Sequence, residues 1–193
     1  MYKRQDRINR IVDDMLLISK LESGESAPLI KEPFNLESCV ADVIERLDLL
    51  IEKQGAIVTV DLPEITLHGD RFYWTQVLFN LIENALKQNA NSPVNVRVAV
   101  QEIGGQKIEI SITDNGIGIP AADLPYIFKR FFRVEKSHGQ NEVKGTGLGL
   151  SIVKRAIEAH GGTITAKSTP GVETAFVIRV PIKSERKAEV EEA

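Results

Sequence analysis

The feature that most constrains this chain is a glycine-rich segment that runs directly into an amphipathic helix. GTGLGLS, residues 145–151, carries glycine at alternate positions, and SIVKRAIEA then follows at helical periodicity. Backbone amides at the start of a helix lack intrahelical partners and attract anions, and glycines let a ligand approach them closely. The segment is neither a dinucleotide fingerprint nor a Walker loop, because the polar KSHGQNEVK precedes it and no G-K-S/T is present. It predicts an anion site at a helix N-terminus, with a glycine-rich linker as the alternative.

Length and charge exclude several classes of protein. The 193 residues suit one domain with a short appendage, and the formal charge of -3 disfavours nucleic acid as a partner. The single cysteine, Cys39, excludes an internal disulfide framework. No stretch approaches the roughly 20 apolar residues that span a bilayer. We expect a soluble, cytoplasmic chain without direct membrane contact, or one tethered to the inner membrane through absent upstream segments.

Hydrophobic periodicity predicts helices interleaved with hairpins. The first helix, residues 3–23, carries an apolar stripe of Ile8, Ile11, Met15 and Ile18. Further helices are expected after Asn35, an N-cap candidate, to about Gln54, over 71–89 with Asp70 as the cap, and over 149–160. Strands are expected at 56–62 with 66–70 beside it, at 94–103 and 107–114 around a Gly104-Gly105 turn, and at 163–168 and 174–181. This order predicts an α+β two-layer sandwich whose mixed sheet is covered on one face by helices.

One predicted helix carries an unusual polar face. In QVLFNLIENALKQN, residues 76–89, the apolar residues gather on one side, while Asn80, Asn84 and Lys87 lie within about 60° of one another on the other. An amide oxygen suits Mg²⁺ and a lysine suits a phosphate, although a solvated helix face remains the alternative.

A second polar motif follows a predicted strand. DNGIGIP, residues 114–120, places Asp114 at the strand end, with Gly116 and Gly118 permitting a tight backbone path. A carboxylate in this position can accept a hydrogen bond from an exocyclic amine such as that of adenine. A simple turn is the alternative, since DNG is a common turn sequence.

Together these motifs resemble the ATP site of the sensor histidine kinases, a group related to DNA gyrase, the large heat-shock chaperones and the MutL mismatch-repair ATPases. The resemblance extends to IFKRFFRVE (127–135), similar to the phenylalanine box, and to DRFYWTQVLFNLIENALK (70–87), similar to the asparagine box. RINRIVDDMLLISKLESGE (7–25) is similar to the second helix of the dimerisation hairpin. The resemblance implies the Bergerat-type ATP-binding fold and a domain division into a hairpin remnant (1–25), a catalytic domain (26–183) and a charged tail (184–193).

The resemblance also implies a role for each matched residue. Asn84 would coordinate Mg²⁺, with Asn80 beside it and Lys87 on the phosphate chain of ATP. Asp114 would read adenine, with Gly116 and Gly118 allowing the base to sit close. The remaining positions would surround the sugar, phosphates and adenine pocket: Phe132 and Arg133 in a lid spanning 121–144, Gly145, Thr146, Gly147, Leu148 and Gly149 in the phosphate loop, and Thr174 near the base. Asn80, Lys87 and Arg133 would serve catalysis.

The same resemblance favours phosphoryl transfer over hydrolysis. The gyrase and chaperone ATPases carry a water-activating glutamate where this chain has Asn80, and an amide cannot take a proton. The acceptor histidine would lie on an upstream helix, and His68, His138 and His160 do not match it; we expect surface roles for all three. The chain should therefore bind ATP and Mg²⁺ without autophosphorylating. Its expected partners are that missing helix, a response-regulator receiver domain and a second copy in the full-length homodimer.

Two other functions stay open from the sequence. A non-catalytic module could use the intact site only for nucleotide-regulated docking. A serine kinase of the anti-sigma type shares the ATP fold, although the helix at 3–23 argues against it.

Overall fold

The computed structural model describes residues 2–22, 29–89, 93–134 and 145–182, which form four helices and seven strands. The helices are α1 (Tyr2–Glu22), α2 (Leu36–Gln54), α3 (Arg71–Lys87) and α4 (Gly149–Ala159). The strands are β1 (Glu32–Asn35), β2 (Ala56–Asp61), β3 (Thr66–Gly69), β4 (Val94–Ile103), β5 (Lys107–Asp114), β6 (Thr163–Thr169) and β7 (Glu173–Pro181). The predicted elements therefore all form, and β1 is an addition.

A five-stranded sheet in the order β2-β4-β5-β7-β6 forms one layer. β2 pairs with β4 in parallel, and the other neighbours are antiparallel, which confirms a mixed sheet. Side chains alternate across the sheet, so β5 buries Ile108, Ile110 and Ile112 in the core that it shares with α2, α3 and α4. The predicted two-layer sandwich is confirmed.

The pairing of β3 differs from the prediction. We expected residues 66–70 to return beside 56–62, but β3 pairs antiparallel with β1 in a separate two-stranded sheet. Phe34 and Leu67 lie opposite each other in this sheet, and both are buried. β1 was not predicted because it is only four residues long and contains Pro33, a residue that disfavours strands. Pro33 removes one backbone donor, which is tolerated at a sheet edge.

Predicted capping residues set the starts of two helices. The side-chain oxygen of Asn35 accepts from the amide of Ser38 at 2.8 Å, so α2 begins directly after it. Asp70 caps α3 in the same way by accepting from the amide of Phe72 at 3.1 Å. α3 ends at Lys87, two residues before the predicted end. Asn80, Asn84 and Lys87 therefore all lie within the helix.

The first helix packs against α4, but only part of its apolar stripe is covered. Ile18 is buried against Leu148 and Ile152, whereas Ile8 and Met15 are 60% and 52% exposed. The stripe that a helical bundle would bury is thus divided between an intramolecular contact and an open face. Within the described ranges, every helix is too short or too polar to cross a bilayer.

Candidate functional site

A cavity of about 650 Å³ opens between the C-terminal half of α3, the end of β5 and the start of α4. The polar residues predicted from three separate motifs meet in it. Its lining includes Asn80, Asn84, Lys87, Asp114, Gly118, Phe132, Arg133, Gly145, Thr146, Gly147, Gly149 and Thr174. The size and the mixture of apolar walls with a few polar groups are typical of a small-molecule site.

The polar face of α3 lies on the cavity because the opposite face is committed to the core. Leu78, Leu81 and Ile82 are fully buried. The side-chain amide of Asn80 donates to the backbone carbonyl of Gln76 at 2.9 Å, which orients its oxygen towards α4. A Cβ on Gly149 would lie 2.7 Å from that oxygen, so a larger residue there would force the Asn80 amide group to move. The side-chain amide of Asn80 thus lies directly against Gly149, the first residue of α4.

Asp114 ends β5 and lies within the cavity wall, with 5% of its surface exposed. The amide of Gly116 donates to its Oδ1 at 2.8 Å. Burial raises the pKa of this carboxyl to about 6, and the hydrogen bond from Gly116 opposes the shift. This is the one hydrogen bond that its carboxylate accepts from the described residues, so acceptor capacity remains on the cavity side.

The turn after β5 and the end of β6 form a second wall. Gly118 has φ of +73°, and a Cβ there would meet the Cα of Pro170 at 2.5 Å. Asp114 and Thr174 are direct partners in the β5–β7 register, which places both at the same end of the sheet. The hydroxyl of Thr174 lies 3.0 Å from that of Ser168, which donates to the carbonyl of Glu173 and accepts from the amide of Ile119. Ser168 therefore joins the strands that frame this wall.

The start of α4 forms the third wall and has no side-chain cap from the described residues. Among the described residues, the preceding loop supplies one local side-chain hydrogen bond: the Thr146 hydroxyl accepts from the amide of Leu148 at 3.2 Å. The first amides of α4 therefore keep their donor capacity, in contrast to the capped starts of α2 and α3. The arrangement can bind an anion.

Two predicted site residues lie outside the lining. Gly116 is buried behind Asp114, where its amide orients the carboxylate. Leu148 is fully buried between α1 and α4 and packs on Ile18. Both therefore support neighbours that reach the cavity, and their roles in nucleotide binding stay a prediction.

Sequence reasoning missed two polar residues of the lining, Glu83 and Gln88, and also Ser168, which joins the strands of the second wall. Glu83 lines the cavity and pairs with Lys87, with Oε1 and Nζ 2.7 Å apart. The i,i+4 spacing was the available signal for this pair. Ser168 carried no such signal, because its role depends on the β6–β7 register.

The predicted lid is described only in part. Residues 121–131 form successive turns, and Phe132 and Arg133 line the cavity. Residues 135–144, which include His138, lie outside the described residues.

The predicted surface role of His160 is wrong, while that of His68 agrees with its exposure. His160 is half-buried at the end of α4, where its Nδ1 lies 2.7 Å from the carbonyl of Ala156. Its Nε2 accepts from the amide of Asp70 at 2.9 Å, so Nδ1 carries the proton of a neutral ring. Burial lowers the pKa of this imidazole.

Comparison with known proteins identifies the family. The family described as "Histidine kinase-, DNA gyrase B-, and HSP90-like ATPase" matches residues 69–184, more than half of the chain. The chain belongs to this ATPase family. The cavity residues on α3, β5, α4 and β7 all fall within the matched range, which ties the membership to the site itself.

Its relatives within this family include sensor kinases. WalK, a sensor histidine kinase of Bacillus subtilis (strain 168), is 35% identical over 191 residues, covering 97% of this chain and 31% of that protein. SenX3, a sensor-like histidine kinase of Mycolicibacterium smegmatis, is 31% identical over 182 residues, covering 94% of this chain and 46% of that protein. The chain thus spans between about a third and a half of the length of these curated relatives.

Solved structures agree with the assignment. The mycobacterial sensor histidine kinase MprB superposes with a TM-score of 0.69 at 27% identity, covering 78% of this chain and 98% of that one. The Acinetobacter baumannii histidine kinase AdeS gives a TM-score of 0.78 at 24% identity over 95% of this chain and 82% of its own, and supports the fold alone.

Proposed function

We propose that this chain is the ATP- and Mg²⁺-binding catalytic domain of a two-component sensor histidine kinase. It would transfer the γ-phosphoryl group of ATP to a histidine on a dimerisation helix outside these 193 residues. The observation that carries the proposal is the meeting of Asp114 and the uncapped start of α4 in one cavity. A carboxylate that can recognise a base and backbone amides that can bind a phosphate then line the same cavity. The proposed domain division is 1–25 for the hairpin helix, 26–183 for catalysis and 184–193 for the tail.

The proposed adenine pocket is built around Asp114. Its ionised carboxylate accepts hydrogen bonds only, and the exocyclic amine of adenine donates. Guanine presents a carbonyl oxygen at the corresponding position, so Asp114 would repel it. Thr174, beside Asp114 in the sheet register, and Gly118 would contact the same ring.

The proposed metal site rests on the chemistry of the available donors. The described residues contain no cluster of three or more histidine, cysteine or acidic side chains that could enclose a metal ion. The cavity offers instead the amide oxygens of Asn80 and Asn84 and the carboxylate of Glu83. Hard oxygen donors in small number fit Mg²⁺, which takes its remaining ligands from water and substrate phosphates. Asn84 would hold the ion, and the ion would neutralise charge on the phosphates.

The proposed chemistry is positioning followed by in-line transfer. A histidine nitrogen forms a bond to the γ-phosphorus, the bond from that phosphorus to the β–γ bridging oxygen breaks, and ADP leaves. The phosphorylated ring then releases the proton of its other nitrogen to water. Lys87, Arg133 and the amides of the 145–149 loop would hold the phosphates and stabilise the transferring group. Asn80 cannot act as a base for water, which favours transfer over hydrolysis.

The proposed partners follow from the relatives. One solved neighbour is the histidine kinase ThkA in complex with the response regulator TrrA, and another is full-length ShkA in complex with AMPPNP. A response-regulator receiver domain is accordingly the proposed downstream partner, and ATP the proposed nucleotide. The exposed face of α1 around Ile8 and Met15 would pair in the homodimer of the full-length kinase.

A nucleotide titration tests the site. ATP and GTP affinities are measured with and without Mg²⁺ for the wild type, Asn84→Ala and Asp114→Ala, with exposed Asp48→Ala on α2 as the control. Asn84→Ala should remove the effect of Mg²⁺ on ATP affinity, because the amide ligand is gone. Asp114→Ala should abolish the preference for ATP over GTP. Equal behaviour of the three variants would contradict the assignment.

A labelling experiment tests the reaction. With γ-labelled ATP, the chain alone should acquire no acid-labile, alkali-stable label. A separate polypeptide that carries the acceptor helix of the full-length kinase should acquire it when this chain is added. An unlabelled acceptor despite tight ATP binding would favour the docking module.

A further inference from the structure

The first helix contacts the loop that lines the phosphate side of the cavity. The hydroxyl of Thr146, a cavity residue, lies 3.1 Å from the Oδ2 of Asp14 on α1. One turn further along α1, Ile18 packs on Leu148, which follows Thr146 in the same loop. The helix therefore touches the candidate site directly through a carboxylate.

The hydroxyl of Thr146 has a single proton to donate. Its oxygen already accepts from the amide of Leu148, which orients the group, so the proton points to Asp14. An incoming phosphate oxygen that used this proton would have to take it from Asp14. The carboxylate and the phosphate are therefore competitors for one donor.

Charge acts in the same direction. Asp14 is half-buried, so solvent screens its negative charge less than that of an exposed carboxylate. The phosphate chain of ATP is also negative. A docked α1 should consequently oppose the binding of a polyphosphate beside Thr146.

The contacts that hold α1 against the rest of the domain are few and loosely packed, so α1 can detach. Glu22, near the end of α1, pairs with Arg130 in the turns after β5 and lies 3.2 Å from a guanidinium nitrogen of Arg155 on α4. Between these ion pairs and the Ile18 contact lies an open cavity of about 400 Å³. An interface with such a gap lacks the close packing that makes core contacts permanent.

We propose that Asp14 is a positioning residue through which docked α1 lowers the nucleotide affinity of the cavity. By linkage, a nucleotide at Thr146 weakens the docking of α1 to the same degree. Pairing of α1 with other helices would favour nucleotide binding where it displaces the contact of Asp14 and Ile18 with the 145–149 loop. This inference rests on the proposed function, since it requires a phosphate-bearing ligand in the cavity.

Neutralising Asp14 tests the affinity half of the linkage. ATP dissociation constants are measured for the wild type, Asp14→Asn and Asp14→Ala. The matched control is Asp13→Asn, which removes the same charge from an exposed neighbour that makes no side-chain hydrogen bond or ion pair within the described ranges. Both Asp14 variants should bind ATP roughly 5- to 10-fold more tightly than the wild type, within the usual range of coupling between sites. Asp13→Asn should bind like the wild type.

Hydrogen exchange tests the reciprocal half. Saturating ATP should speed amide exchange in α1 of the wild type, whereas α1 of Asp14→Ala should exchange faster at once and respond less to ATP. Glu22→Gln, which weakens docking without touching the main cavity, should also raise ATP affinity. This variant keeps the test decisive if a substitution at Asp14 disturbs the helix itself.

The outcomes separate this inference from the proposed function. If the wild type binds ATP but the Asp14 variants match Asp13→Asn or bind more weakly, the antagonism is wrong and the nucleotide site stands. Unchanged α1 exchange on ATP addition would overturn it equally. If the wild type binds no ATP, the proposed function fails, and this inference fails with it.

Discussion

Two buried aspartates, Asp70 and Asp114, show how differently this fold uses the same side chain. Asp70 lies at the N-terminus of α3, and its carboxylate accepts from the amides of Ile30, Phe72 and Tyr73 at 3.0, 3.1 and 3.5 Å. Asp114 lies in the cavity that faces the C-terminal half of α3 and accepts from Gly116. Their exposures are 8% and 5%, so burial does not distinguish them.

Hydrogen-bond saturation does distinguish them. Asp70 accepts from three backbone donors, so its carboxylate serves the structure as the cap of α3. Asp114 has one such donor, and its pKa rises to about 6 because burial is poorly compensated. A buried carboxylate with unused acceptor capacity beside a cavity is a candidate ligand-binding group. The contrast predicts opposite effects of mutation at the two positions.

The largest effect is expected at Asp70. Asp70→Ala removes the cap of α3 and leaves three backbone amides without this acceptor, so the free energy of unfolding should fall by about 2–4 kcal/mol. Chemical denaturation measures the loss. Asp48→Ala on the exposed surface of α2 should change stability little. If Asp70→Ala lowers the free energy of unfolding no more than Asp48→Ala does, the structural role of Asp70 is wrong.

The opposite change is expected at Asp114. Asp114→Asn keeps an oxygen for the amide of Gly116 but removes a charge that burial disfavours. At pH 8 the free energy of unfolding should rise by about 1–3 kcal/mol, from roughly 1.4 kcal/mol per pKa unit. ATP affinity should fall, because the amide nitrogen of asparagine would face the adenine amine. Loss of stability in this variant would contradict the view that Asp114 is held for binding.

The pH dependence at Asp114 sharpens the same test. Its pKa is higher in the folded chain than the ordinary value of 3.8, so the folded state binds the proton more tightly. Asp114 therefore favours folding most fully below about pH 4, and this contribution is lost as pH rises to about 6. The stability difference between Asp114→Asn and wild type should grow over that interval and then level off. ATP affinity should fall below pH 6, as the protonated carboxyl no longer accepts freely.

The sequence predicts the functional side of this comparison better than the structural side. Asn84, Asp114 and the 145–149 loop belong to local motifs whose spacing indicates chemistry before any fold is known. The surroundings of Asp70 depend on non-local contacts: β1 pairs with β3 through a strand only four residues long, and His160 reaches Asp70 from 90 positions away. Periodicity and propensity describe neighbours in sequence, so they identified the cap but not the residues that close around it.

The smallest predicted effect concerns His160, the ring that joins the end of α4 to the start of α3. Protonation would place a donor on Nε2 against the Asp70 amide, and burial lowers the pKa of this imidazole below 6.5. The neutral ring therefore stabilises the fold above pH 6.5, and that contribution declines as pH falls below it, the reverse of the trend at Asp114.

His160→Gln should lower the free energy of unfolding by about 1 kcal/mol at pH 7.5, within the usual value of one hydrogen bond. Because glutamine does not titrate, the gap in the free energy of unfolding between this variant and the wild type should narrow between pH 7 and 5. A constant gap at His160 would mean that the ring acts by packing on Trp74, whose centroid is 5.7 Å away, and not by its tautomer.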